Sequence, residues 1–183
     1  MTDRESLAAL LRERSVTHGN FVLASGLRST YYIDARKTTM SAQGQRLIGA
    51  LALDLIRRQG WAPDAVGGLT MGADPVAYAI ARASADTPPV VEAFSVRKAA
   101  KEHGTGKRIE GNFGPGTRAV VVEDVITSGG SAVEAVRAVR AEGGVVLGVL
   151  ALVDHEQGGS EAITAEGLNV VSIITTTELL ADS

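Results

Sequence analysis

Apolar residues recur along the chain in two rhythms. Near the start, Leu7, Leu10 and Leu11 share one helical face, and Thr2 with Glu5 has the spacing of a capping box. Between Asn20 and Asp34 the rhythm changes. Phe21-Val22-Leu23 and Tyr31-Tyr32-Ile33 flank a Ser25-Gly26 turn, which predicts a short antiparallel pair. Ser41 then caps a long helix whose core face is Leu47, Ile48, Leu51, Leu55 and Ile56, stopped by Gly60 and Pro63. Downstream the pattern becomes regular. Strand-like runs fall at 65–69, 90–96, 119–123, 145–152 and 170–174, with helical patterns at 74–84, where Asp74 is the cap and Pro75 lies in the first turn, and at 131–141. Such alternation predicts an α/β fold with an open, mainly parallel sheet flanked by helices, connected by right-handed crossovers. The first 40 residues or so are expected to form a small hood, and 1–183 to be one domain.

One of these junctions carries chemistry. Ala119-Val120-Val121-Val122 leads into Glu123-Asp124, then Val125-Ile126 and the small-residue turn Thr127-Ser128-Gly129-Gly130-Ser131, where a helical pattern begins. The free amides at a helix N-terminus suit a phosphate, and carboxylates suit sugar hydroxyls or a hard cation such as Mg²⁺. Acids beside a phosphate cradle imply a sugar phosphate. A P-loop would need a lysine after its second glycine, and none follows Arg108; the dinucleotide fingerprint would put glycines where the acids stand.

Composition narrows the partners. Hydrophobic residues make up 45% of the chain but aromatics only 4%, so the core must be aliphatic, as a helix-covered parallel sheet requires. A net charge of −3 argues against nucleic acid as a partner, and the absence of cysteine excludes disulfides and thiolate metal sites. No leader and no apolar run of membrane-spanning length is visible, so no membrane association and a cytoplasmic location are expected. Three histidines make no transition-metal set, and His18 reads as a structural or surface residue.

Charge is concentrated at 97–108, which holds three of the four lysines, two glycines and no apolar stripe. Few buried contacts predict a segment that is mobile when empty and able to close over an anionic leaving group, stabilising its charge and excluding water. Arg36-Lys37 is either a solvated basic pair or a binding pair, with nothing in the sequence to choose between them.

The 119–131 segment closely resembles the phosphoribosyl diphosphate (PRPP) signature of the type I phosphoribosyltransferases. Arg97-Lys98, Lys101 and His103-Gly104 in that order are similar to the catalytic loop of the orotate phosphoribosyltransferases within that family. The 21–26 and 31–34 segments resemble its hood, Gly67-Gly68 to Pro75 its diphosphate-side loop, and Ser172-Ile173-Ile174 its last strand. The resemblance implies that Arg97, Lys98, Lys101 and His103, with Glu123, Asp124, Val125, Ile126, Thr127, Ser128, Gly129, Gly130 and Ser131, bind PRPP. It implies that Ser25, Tyr31, Tyr32, Thr127 and His155 face orotate, and that Lys101, His103 and Asp124 are catalytic. It implies Mg²⁺ held mainly by PRPP without dedicated protein ligands, Glu123 or Asp124 being the candidates to touch it. It also implies a homodimer whose catalytic loop is shared across subunits. Ala24 and His155 depart from the family, in which lysine and arginine are common at those places. The rivals are transfer to another base, purine or uracil, and a PRPP-sensing regulator without catalysis.

Overall fold

The computed structural model describes residues 2–22, 28–99 and 107–181. Thr2 and Glu5 do form a reciprocal capping box on α1 (Asp3–Ser15), and Leu7, Leu10 and Leu11 are buried. Strands β1 (Val16–Val22) and β2 (Arg28–Ile33) pair antiparallel as the hood. A single turn, α2 (Arg36–Thr39), leads to α3 (Ala42–Arg58), whose first-turn Gly44 amide donates to the Ser41 hydroxyl at 3.0 Å. The buried face of α3 is Leu47, Ile48, Ala52, Leu53 and Ile56, while Leu51 and Leu55 sit only partly buried at its edge.

The rest alternates: β3 (Ala65–Leu69), α4 (Ala73–Asp86), β4 (Glu92–Val96), β5 (Ile109–Gly111), β6 (Arg118–Ile126), α5 (Gly130–Ala141), β7 (Val145–Asp154), α6 (Gly159–Thr164), β8 (Val170–Thr175) and α7 (Thr176–Leu180). The sheet order is β5-β4-β3-β6-β7-β8, parallel throughout except for the short edge strand β5. From β3 the chain winds to one side and from β6 to the other, although the two strands are neighbours. Their carboxyl ends therefore diverge around a crevice, the place where open α/β sheets bind ligands.

Successive residues of β6 supply opposite faces. Val120 and Val122 join Leu47, Ile48, Val76 and Ile80 beneath α3 and α4. Ala119 and Val121 join Ala132, Val136, Val139 and Ile163 beneath α5 and α6.

Several boundaries differ from the sequence expectation, among them these three. β4 starts at Glu92 because the Val91 amide turns back to the Ser84 hydroxyl at 2.9 Å instead of joining a ladder. Asp74 is not the cap of α4; Gly72 holds that position, and Asp74 accepts a hydrogen bond from the Thr70 hydroxyl. β6 does not end at Glu123 but runs on to Ile126, because β7 also continues and pairs Glu123 with Ala151, Val125 with Val153 and Ile126 with Asp154. No helix among the described residues is long and apolar enough to cross a membrane.

Candidate active site

A cavity of about 830 Å³ opens at the carboxyl ends of β3, β4 and β6. The hood side contributes Tyr32, Asp34 and Arg36, the turn after β3 contributes Thr70 to Gly72, and the end of β4 contributes Arg97 and Lys98. Glu123, Asp124, Val125 and Ser131 form the remaining wall. A smaller recess of about 40 Å³ adjoins it, lined by Glu123 and the 125–132 turn, and so includes Ile126, Thr127, Ser128, Gly129, Gly130 and Ser131.

That recess sits at the start of α5, where no side chain caps the first-turn amides. Gly129 provides the cap position in the left-handed region, φ 78°, and a Cβ there would lie 2.6 Å from the Gly159 carbonyl oxygen. Only glycine lets α6 approach the turn this closely without strain. Free N–H groups, hydroxyls and the positive helix end converge on the recess, which is the chemistry of an anion site.

The two acids have different surroundings. Glu123 is 6% exposed, and its Oε2 is buried without a hydrogen-bond partner among the described residues. Burial, and then the charge of Asp124, push its carboxyl up to about 9. The shift favours its neutral, protonated form. Asp124 is half-buried and accepts from the Val125 amide at 2.9 Å. The turn after β3 presses against it: a Cβ on Gly72 would stand 2.6 Å from Asp124 Oδ1. Room for that carboxylate depends on the glycine, a constraint with no local sequence signal.

Arg97 and Lys98 reach the cavity from β4. Arg97 pairs loosely with Glu110 at 3.7 Å. Arg108 holds their backbone by donating to the Arg97 and Lys98 carbonyls, and it also binds Glu134 of α5, while Glu142 accepts from the amides of Arg108 and Ile109. The base of the cationic segment is therefore tied to the helix whose N-terminus forms the small recess. This clamp was not foreseen from the sequence, because its members are 26 and 34 positions from Arg108.

Strand alternation separates the two hood tyrosines. Tyr32 lines the cavity, whereas Tyr31 stacks on His155 with centroids 5.5 Å apart and planes at 19°. Neither Tyr31 nor His155 is part of the cavity lining. His155 is 7% exposed, its backbone amide donates to Ile126 and its Nδ1 has no partner among the described residues. Burial, and then Glu156, push the Tyr31 hydroxyl above its ordinary value. Ser25, Lys101 and His103 lie outside the described residues. Among the described residues no group of three or more His, Asp or Glu is placed to hold a metal.

Residues 39–176 match the family model of the phosphoribosyl transferase domain, the class that the crevice, acids and phosphate turn define. The orotate phosphoribosyltransferase of Aquifex aeolicus is 45% identical, covering 98% of this chain and 99% of the relative. That of Mycobacterium avium is 48% identical over 93% and 92%. The Mycobacterium tuberculosis orotate phosphoribosyltransferase, solved in complex with PRPP, superposes with a TM-score of 0.83 at 42% identity, covering 97% of this chain and 99% of that one. The chain belongs to the orotate phosphoribosyltransferase family.

Proposed function

We propose that the protein transfers the phosphoribosyl group of PRPP to orotate, giving orotidine 5′-monophosphate and diphosphate on the route to pyrimidine nucleotides. The observation that carries this is Glu123, a buried carboxyl with an unpartnered oxygen that lines both the main cavity and the phosphate recess. A group so placed is costly to keep empty and is satisfied by a hydroxyl-bearing ligand whose phosphate fills the recess.

The turn 127–131 would anchor the 5′-phosphate, and Glu123 and Asp124 the ribose hydroxyls. Arg97, Lys98, Lys101 and His103 would surround the diphosphate, and Tyr32 would offer a ring face to the base. A ring nitrogen of orotate attacks the anomeric carbon while the carbon–oxygen bond to diphosphate breaks, the electron pair leaving with diphosphate. Negative charge builds on the departing diphosphate and positive charge on the ribose, so the work of these residues is positioning and electrostatics. The orphaned Glu123 oxygen and the adjacent Asp124 are the groups that would touch a hard cation here, and Mg²⁺, when bound, would neutralise part of the diphosphate charge. We also assign the active form as a homodimer, on the strength of the catalytic-loop resemblance, with single-domain subunits and a cytoplasmic location as expected from the sequence.

The test is loss of orotate ultraviolet absorbance with purified protein, PRPP and Mg²⁺, run beside uracil and hypoxanthine. Orotate consumption that needs both PRPP and Mg²⁺ is the expected result. Turnover of a different base would overturn the base assignment, and PRPP binding with no turnover of any base would favour a sensor.

A further inference from the structure

Three cationic side chains line the cavity among the described residues, and they come from two sides. Arg97 and Lys98 directly follow β4. Arg36 arrives from the other side, as the first residue of α2 just beyond the hood strand that carries Tyr32. Its Nε donates to Asp34 Oδ1 at 2.8 Å, and its side chain makes no other hydrogen bond or ion pair among the described residues. A guanidinium has five donors in a planar fork, so fixing Nε leaves the edge formed by the two terminal nitrogens, which pairs bidentately with carboxylates. The charge of this guanidinium is supported first by the Asp34 hydrogen bond and further by Tyr32 and Asp124. Tyr32 and Asp124 line the same cavity.

The cavity needs such a group. Asp34, Glu123 and Asp124 all line it, so an acceptor base bearing its own carboxylate enters a wall rich in acids. His155, directly after β7, is stacked against Tyr31 and absent from the lining. We infer that Arg36, held by Asp34, recognises the carboxylate of the acceptor base and selects an acidic pyrimidine over a neutral one. This inference rests on the orotate reading above and names the residue that makes the choice. Because Arg97 and Lys98 already supply the diphosphate side, Arg36 acts on the base rather than on the leaving group.

The experiment compares wild type, Arg36→Gln and Arg36→Lys, with orotate and orotate amide as competing acceptor-site ligands and PRPP as the second substrate. Wild-type turnover of orotate is established first, so a failure there counts against the proposed function and not against this residue. Removing a charge-assisted pair is expected to cost Arg36→Gln roughly 10- to 100-fold in kcat/KM for orotate, through the KM for orotate. Its KM for PRPP should be unchanged, and the wild-type preference for orotate over the amide should disappear. Arg36→Lys keeps the charge without the fork and should recover part of the preference. Because Arg36 is half-exposed, both variants should melt near the wild-type temperature. An unchanged orotate-to-amide preference in Arg36→Gln overturns the proposal. So does a rise in the KM for PRPP with that preference intact, which would move Arg36 to the diphosphate side.

Discussion

Replacing Glu123 by glutamine should make the empty protein more stable at alkaline pH while disabling it. The Glu123 carboxyl is pushed from its ordinary 4.5 to about 9, first by burial and then by Asp124. Between those values the unfolded chain has released the proton and the folded chain still holds it. The folded state thus binds one more proton, and stability falls as pH rises, by about 1.4 kcal/mol per pH unit from this group alone. Below the unfolded value both states are protonated and the effect vanishes. From pH 5.5 to 8.5 the loss amounts to about 4 kcal/mol, or roughly 8–16 °C in melting temperature for a chain of this size. Glutamine is a near-isosteric neutral group with no such titration. Asp34, Asp64 and Glu178, whose carboxyls are held below the ordinary range by Arg36, Arg118 and Arg4 respectively, are common to both proteins and cancel in the difference. Urea or thermal unfolding of wild type and Glu123→Gln, without ligands, across pH 5.5–8.5 measures the gap. It should open steadily in favour of the variant, whose PRPP binding should fall. Parallel stability curves would refute the reasoning, since they would mean that Glu123 is already ionised in the empty cavity.

Gly129→Ala places a Cβ 2.6 Å from the Gly159 carbonyl at φ 78°, so the turn must shift. A loss of about 1–2 kcal/mol from the left-handed backbone alone, and a PRPP affinity lower by at least about tenfold, are expected from urea melts and PRPP titration; unchanged affinity would remove the turn as the phosphate site. Arg108→Ala frees the Arg97 and Lys98 carbonyls. Its half-exposed ion pair with Glu134 contributes no more than about 1 kcal/mol, so the melting temperature should barely move. Steady-state kinetics should instead show kcat falling about tenfold, with no rescue by lysine, whose single ammonium cannot span the same acceptors; wild-type kcat would rule out the clamp as a positioning device. Mixing Lys101→Ala with Asp124→Asn subunits should yield hybrid dimers more active than either parent, and hybrids no better than their parents would argue against shared sites.

What the sequence revealed depended on whether the signal was local. The Thr2–Glu5 capping box, the Ser41 cap and the apolar runs of the sheet need only neighbours in the chain, and each formed close to its expected place. The end of β6 was not local. Two adjacent acids read as the end of a strand, yet the ladder continues because β7, some 28 residues away, offers partners for Glu123, Val125 and Ile126. The two-residue period likewise requires that Tyr31 and Tyr32 point to opposite faces, but it cannot say which face is the cavity. The structure answers it through a residue across the fold: Tyr31 stacks on His155, while Tyr32 lines the cavity. Arg36 was ambiguous for the same reason, since an exposed basic pair and a ligand-facing arginine look identical until the cavity is closed around one of them.

The continuation of β6 through its acids also explains the cost that the site carries. Had the strand ended at Val122, Glu123 could have turned to water with its carboxylate ionised. Paired instead with Ala151 in the ladder, its backbone is fixed and its side chain is held in a nearly dry position. A neutral carboxyl is the only form that this position accepts cheaply while the cavity is empty. The fold therefore keeps a hydrogen-bonding group unsatisfied beside an uncapped helix end, and two deficits of opposite character, an orphaned acid and free amides, lie on one recess. A single ligand bearing both hydroxyls and a phosphate satisfies both at once, whereas a free phosphate or a free sugar satisfies only one. Selectivity for a sugar phosphate is the expected outcome of where the strand stops, and Glu123→Gln separates the two contributions. It should weaken PRPP and leave inorganic phosphate binding nearly untouched, so a matching loss for both ligands would contradict this division of labour.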